Sequence, residues 1–217
     1  MFTLQREKIG NGDGTALTSL YYAWAYCREL EDLDISNLRT PNITSLVATF
    51  VQNYKLNELD LHHLIVKKVT NMDSLFSTCK ALRKLDLTTW ETNALTNMNN
   101  LFTGCLSLYE IKGIESFNTT NVTTMASTFA NCRSLTNLDL TYWNTAKVTS
   151  LASCFNGCYS INELNLSTWD ISKVTNMSST FLYCYNLKRI KLTGTTGILT
   201  SIYSIFSNCW ALETIDA

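Results

Sequence analysis

The sequence predicts an α/β solenoid of about eight 26-residue turns with a parallel sheet on its concave face. Three observations predict it. The residue before each Thr-[Asn/Ser/Thr]-[Met/Leu] tripeptide is Ile43, Val69, Leu95, Val122, Val148 or Val174, at spacings of 26, 26, 27, 26 and 26 residues. The frame runs back to Thr18-Ser19-Leu20 and forward to Thr200-Ser201-Ile202, making eight copies. Within a copy, Met72, Phe76, Cys79 and Leu82 stand four, three and three residues apart, a helical or 3₁₀ spacing, whereas Leu85-Asp86-Leu87 alternates like a strand. Neither a two-turn helix nor a strand of about four residues is stable alone, so the copies must stack and share one core.

Taken in order, residues 1–16 form an N-terminal cap or linker, because "REKIGNGDGT" is polar and rich in turn formers. "GNGDG" lacks the lysine and following motif of a phosphate loop and reads as a turn. Residues 17–217 are the repeats, with expected strands at Leu33–Ile35, Leu59–Leu61, Leu85–Leu87, Leu138–Leu140, Leu164–Leu166 and their equivalents. The one extra residue falls near "IKGIESFN" in the fourth copy, where a loop absorbs it. The last copy stops at "ALETIDA", so its turn is expected to be incomplete or uncapped, leaving Ile205, Phe206, Trp210, Leu212 and Ile215 as an apolar face. Such a face predicts either more chain beyond Ala217 or self-association through Phe206, Trp210, Leu212 and Ile215.

The pattern V-T-N-M-x-x-x-F-x-x-C-x-x-L-x-x-L-x-L-x-x-W resembles the leucine-rich repeat. "VTNMSSTFLYCYNLKRIKL" and "LDLTYWNTAKVTSL" are similar to the 26-residue repeats of BspA-like bacterial surface proteins. The resemblance runs from about Leu17 to the end. It departs at the ninth position of the leucine motif, where the family carries Asn or Cys. Here that position holds Leu38, Leu64, Trp90, Phe117, Trp143, Trp169 and Thr195, an apolar plug in place of a polar ladder. The threonine present in all eight copies (Thr44 and Thr70, for example) is expected to satisfy backbone groups where the next helix starts. The resemblance implies a cell-surface or extracellular module, part of a longer protein, that binds a host or neighbouring-cell protein.

Composition narrows the function. Hydrophobic residues are 46% of the 217 and charged residues only 16%, against about a quarter in ordinary globular proteins, so the surface is largely Ser, Thr and Asn. A net charge of −1 announces neither nucleic acid nor an anionic membrane as partner. No apolar run approaches the roughly 20 residues of a membrane span. The opening carries charge by Arg6 and does not read as a signal peptide, which fits either a cytoplasmic chain or a piece of a longer secreted one. Asn-x-Ser/Thr sequons at Asn42, Asn118, Asn121, Asn165 and Asn176 follow from the repeat itself and carry no message about glycosylation.

Seven of eight cysteines (Cys27, Cys79, Cys105, Cys132, Cys158, Cys184 and Cys209) share one position, which the second copy fills with Asn53. They are expected to be reduced and buried as small apolar groups; a disulfide between neighbouring turns, or from Cys154, is the alternative. No Cys-x-x-Cys pair is present and the histidines are adjacent, so neither metal nor cofactor is expected.

Function is then expected on the outward strand positions. One column reads Asp32, Glu58, Lys84, Glu110, Asn137, Glu163, Arg189 and Thr214, and the next Asp34, Asp60, Asp86, Lys112, Asp139, Asn165, Lys191 and Asp216. Stacked at about 4.8 Å, Asp34, Asp60 and Asp86 bring like charges together. These carboxylates either keep the array soluble or, as Asp32, Asp34, Glu58, Asp60 and Asp86 beside His62, meet a basic partner or a cation. Catalysis needs carboxylates in unlike, desolvated surroundings, which an open regular sheet does not supply, so no enzymatic activity is expected. The readings are a protein-recognition or adhesion module, a structural or assembly spacer in a surface or viral appendage acting end to end, and an intracellular scaffold.

Overall fold

The computed structural model describes residues 15–192 and 198–216. The expected cap over residues 1–16 lies almost wholly outside them, as do Thr195 and Ala217. Consecutive copies stack in parallel. Ser19, Ser45, Asn71, Asn97, Thr124, Ser150, Asn176 and Ser201 pair each with the next in one unbroken parallel series. At this position the chain supplies small polar side chains that turn back on their own backbone: Asn71 Oδ1 accepts from Asp73 N–H at 2.9 Å and Asn97 Oδ1 from Asn99 N–H at 2.9 Å.

The half of each copy expected to be helical is not. Among the described residues there is no α-helix, and one 3₁₀ turn, Ile114–Ser116. In the third copy Leu75, Ser77 and Cys79 donate to the carbonyls three residues back, Met72, Ser74 and Phe76, at 3.0–3.2 Å. The amides between them point out of the copy: Met72, Ser74, Phe76 and Thr78 donate to Asn97, Asn99, Leu101 and Thr103 of the next one at 2.6–3.1 Å. The first and third of these overlapping turns, 72–75 and 76–79, take a left-handed third residue, as a type II turn does. Ser74 (φ 58°) and Thr78 (φ 63°) provide it, and the same two positions are left-handed in every copy, from Tyr22 and Tyr26 to Ser204 and Asn208. An α-helix would spend its amides internally on i−4 carbonyls, whereas this ribbon shares them with its neighbour. The 4-3-3 apolar spacing does not separate the two.

The strands are shorter and fewer than expected. Those present are β1 (Lys84–Asp86), β2 (Glu110–Lys112), β3 (Glu163–Asn165), β4 (Arg189–Lys191) and β5 (Thr214–Asp216). They form two parallel sheets, β1-β2 and β3-β4-β5, in direct register, Leu85 opposite Ile111 and Leu164 opposite Ile190. The segments at 33–35, 59–61 and 138–140 form no ladder. The continuous hydrogen-bonded spine therefore runs along the turn ribbon, and the strand face is bonded in blocks. The break beside the fifth copy follows the extra residue: Gly113 (φ 83°) and the 3₁₀ turn take it up. A Cβ at Gly113 would lie 2.5 Å from Thr88 N, so only glycine fits.

The core is a set of columns, one residue per copy. Phe50, Phe76, Phe102, Phe129, Phe155 and Phe181 stack with ring centroids 5.5–5.7 Å apart and are fully buried. The cysteines lie against them, and from the third copy onward the column thiol donates to the phenylalanine carbonyl of the preceding copy, Cys79 to Phe50, Cys105 to Phe76 and Cys158 to Phe129, all at 3.1 Å. Asn53 serves in the same place through its amide, Nδ2 to the Trp24 carbonyl at 2.9 Å. Cysteine is thus a small group that packs with the rings and still carries a weak donor, where leucine would carry none. Cys154 belongs to a neighbouring column whose other members include Thr128 and Thr180, buried hydroxyls that bond to carbonyls of their own and the preceding copy. All eight thiols are free.

The plugs are buried, as expected of apolar groups, yet they are not purely apolar. Trp90, Trp143 and Trp169 donate their indole N–H to Leu61, Ile114 and Leu140 of the preceding copy at 3.4, 2.9 and 3.1 Å. A hydrogen bond between copies survives at the ninth position, carried by indole. The invariant threonine likewise bonds to its neighbour and not to a helix start: the N–H and hydroxyl of Thr96 both donate to the Thr70 carbonyl, at 2.8 and 2.9 Å.

Candidate functional site

The strand face presents the two outward columns with Leu85, Ile111, Leu164 and Ile190 buried between them. Period-two alternation enforces this: the apolar residue must face the core, so its neighbours on either side face solvent. Asp32, Asp34, Glu58 and Asp60 are all exposed, while Asp86 is half-buried.

The central carboxylates have a local task. Asp34 Oδ1 accepts from Ser36 N–H at 3.0 Å and Asp60 Oδ1 from His62 N–H at 3.0 Å. Asp86 and Asp139 accept from the N–H and hydroxyl of Thr88 and Thr141, the hydroxyls at 2.6 Å, and Asn165 repeats the motif with Ser167. Each closes the turn that ends the strand segment. Where the column holds Lys112, which cannot accept, glycine follows and the 3₁₀ turn appears. The accepted bonds hold these carboxyls below the ordinary carboxylate range: for Asp60 chiefly the His62 N–H, for Asp86 and Asp139 chiefly the threonine hydroxyls.

His62 gathers this region. Its Nδ1 lies 2.8 Å from Asp60 Oδ1 in its own copy, and Nε2 lies 3.5 Å from Asp86 Oδ2 in the next. The bond to Asp60 raises the imidazole above its ordinary value, burial opposes the rise, and the Asp86 charge adds to it. The ring borders an open groove of about 440 Å³ that also touches Glu58, Arg83, Lys84, Tyr109, Glu110 and Lys112. One cation there is engaged: Lys84 Nζ lies 3.4 Å from Glu110 and 5.3 Å from the Tyr109 ring centre. The structure therefore brings Glu58, Asp60, His62 and Asp86 together on one groove. Asp32 and Asp34 do not line it. The basic side of the groove, Arg83, Lys84 and Lys112, was legible as charge but not as part of a shared site, because it comes from two different copies.

In the last copy Trp210 is 76% exposed and Ile215 is exposed, while Ile205, Phe206 and Leu212 are half-buried. The Trp210 ring stacks on Tyr185 at 4.5 Å, and Tyr185 on Tyr159 at 4.6 Å. The face is less uniformly open than expected, because Phe206 packs on Phe181 at 5.2 Å.

Among the described residues no group of three His, Cys, Asp or Glu side chains is placed to hold a metal ion. No helix of the described residues is long and apolar enough to cross a membrane. Burial pushes the thiols of Cys79 and Cys154 up to about 12, and raises Cys105, Cys132 and Cys158 as well, so these five buried thiols have little thiolate character.

Parallel stacking of a 26-residue unit around shared ring and thiol columns defines a repeat protein. Residues 15–112 and again 107–215 match the family described as "Mycoplasma protein of unknown function, DUF285", and the chain belongs to that family. No curated protein matches it. Among solved structures it is similar to a leucine rich cell surface protein from Faecalibacterium prausnitzii A2-165, at 17% identity over 90% of this chain and 68% of the other, with a TM-score of 0.35. A leucine-rich repeat protein from Bacteroides ovatus ATCC 8483 is similar at 15% identity over 90% and 74%, with a TM-score of 0.25. At these scores the likenesses carry no argument about function.

Proposed function

We propose that the chain is a non-enzymatic recognition module of a cell-surface protein, one stack of repeats that binds a protein partner through its strand face. The observation that supports this is the charged, open groove around His62: acidic and basic groups from three successive copies converge on it above a rigid apolar core. A regular array of exposed charges on a stiff scaffold suits a partner surface of complementary charge. The cell-surface setting and a host or neighbouring-cell partner rest on the sequence resemblance to BspA-like repeats.

The test is binding of the labelled protein to cultured host cells, with and without prior protease treatment of the cells. It is run beside a variant carrying Glu58→Gln, Asp60→Asn and Asp86→Asn, three of the groove carboxylates. The amides at 60 and 86 keep the accepting oxygen that closes each turn, and all three changes remove charge. The expected result is saturable binding that protease abolishes and the variant loses by tenfold or more, on the order of 1.4 kcal/mol. Binding unaffected by both changes would refute the reading.

A second reading, assembly through end-to-end contacts, is supported by the exposed Trp210, Tyr203 and Ile202 of the last copy. It predicts concentration-dependent association in sedimentation that Trp210→Ser weakens while the charge variant leaves it intact.

A further inference from the structure

We propose that His62 is a proton-operated clip between the second and third copies: protonated, its ring bridges Asp60 and Asp86, and deprotonated, it releases Asp86. This goes beyond the recognition reading and stands whether or not the strand face binds a partner.

A neutral imidazole has one N–H and can serve only one carboxylate. The closer partner, Asp60 at 2.8 Å, claims it, and the lone pair on Nε2 is left facing the Asp86 oxygen at 3.5 Å. On protonation both nitrogens donate, and a cation sits between two carboxylates that would otherwise face each other as like charges. The place matters because this junction is weakly laced on the strand face. The 59–61 segment has no ladder to β1; its backbone link is a 3.4 Å bond from Arg83 N–H to the Asn57 carbonyl, beside two side-chain bonds, Thr89 Oγ1 to the His62 carbonyl at 3.2 Å and Trp90 Nε1 to the Leu61 carbonyl at 3.4 Å. Between β1 and β2, by contrast, three residue pairs are in register.

The other charged groups around the ring are Glu58 and His63 from its own copy, Arg83 and Lys84 from the third, and Glu110 and Lys112 from the fourth. Asp34 precedes Asp60 in the central column. Lys84 is paired with Glu110, and Lys112 acts on Asp86, helping to keep it ionised. Both carboxyls are held below their ordinary range, so they remain charged throughout the range in which His62 titrates. His62 is raised, so its contribution is complete below the ordinary histidine value of about 6.5 and is lost as pH rises through the raised folded value.

The experiment compares amide-exchange protection of residues 59–66 with that of residues 163–171 in the same molecule, corrected for intrinsic rates, at pH 5.5 and pH 8. In the native protein the ratio is expected to be about two- to fivefold higher at pH 5.5, the range for a half-exposed ion pair. In His62→Gln and Asp86→Asn it should not change with pH. The same rise in His62→Gln, or no rise in the native protein, overturns the clip. Should His62→Gln not fold, NMR titration of the imidazoles decides: Asp86→Asn must lower the His62 midpoint, and an unmoved midpoint overturns it.

Discussion

Replacing Trp143 tests the stacked core most directly. Its side chain is 2% exposed, its ring lies 6.0 Å from Phe129 and 6.2 Å from Trp169, and its N–H reaches the Ile114 carbonyl at 2.9 Å. A buried indole removes about 150–250 Å² from water, worth about 4–6 kcal/mol at 25 cal/mol per Å². Alanine retains a small part of that, and partial collapse of neighbouring rings offsets some of the cavity, so Trp143→Ala should cost about 4–5 kcal/mol. Trp143→Phe keeps a ring in the stack but deletes the donor. The Ile114 carbonyl still accepts from Phe117 N–H at 3.3 Å, so the bond itself accounts for about 1 kcal/mol and the smaller ring for the remainder, about 2 kcal/mol in total. Urea denaturation followed by far-ultraviolet circular dichroism measures both. In a linear stack the loss should also split the transition, because copies on either side of a weakened junction unfold with less coupling. A loss below about 1 kcal/mol for Trp143→Ala would refute the stacked, hydrogen-bonded plug.

Other predictions follow from the columns. Asn53→Cys should stabilise the protein by about 1 kcal/mol in the same denaturation assay, since Asn53 leaves a buried Oδ1 without a partner where the other copies use a thiol. A thiol reagent should count at most the two half-buried cysteines, Cys27 and Cys209, in the native protein and all eight after denaturation; a mass deficit restored by reduction would show disulfides instead. Asp60, Asp86, Asp139 and Asp170 are all lowered in the folded state, so their stabilisation is present above the ordinary carboxylate value and is lost as pH falls through the lower folded values. Melting temperatures should therefore fall as pH drops below about 4. Asp139→Asn should flatten part of that slope while keeping the turn, as Asn165 does, whereas Asp139→Ala should lower the melting temperature at every pH.

What the sequence determined alone was the period and the buried columns. Those depend on one requirement, that a short segment with an apolar stripe must find an identical stripe to cover it, and residue type alone reveals the stripe. Phe76, Cys79, Leu82, Leu85 and Trp90 all lie inside as the pattern demands. The acidic residues Glu58, Asp60 and Asp86 were legible as members of two outward columns for the same reason. Tertiary structure decided where each backbone amide and side-chain donor goes. Met72 and Leu75 are both apolar and both buried, yet one donates across to Asn97 and the other back to Met72, a choice that depends on a partner about 26 residues away. That choice turned an expected helix into a ribbon of reverse turns and moved the continuous ladder off the strand face. Recurring Gly104, Asn131, Gly157 and Asn208 at a left-handed position were the one trace of it in the sequence. The pairing of His62 with Asp86, and the indole and thiol bonds between copies, were invisible for the same physical reason: they join neighbours in space whose proximity exists only once the copies have stacked.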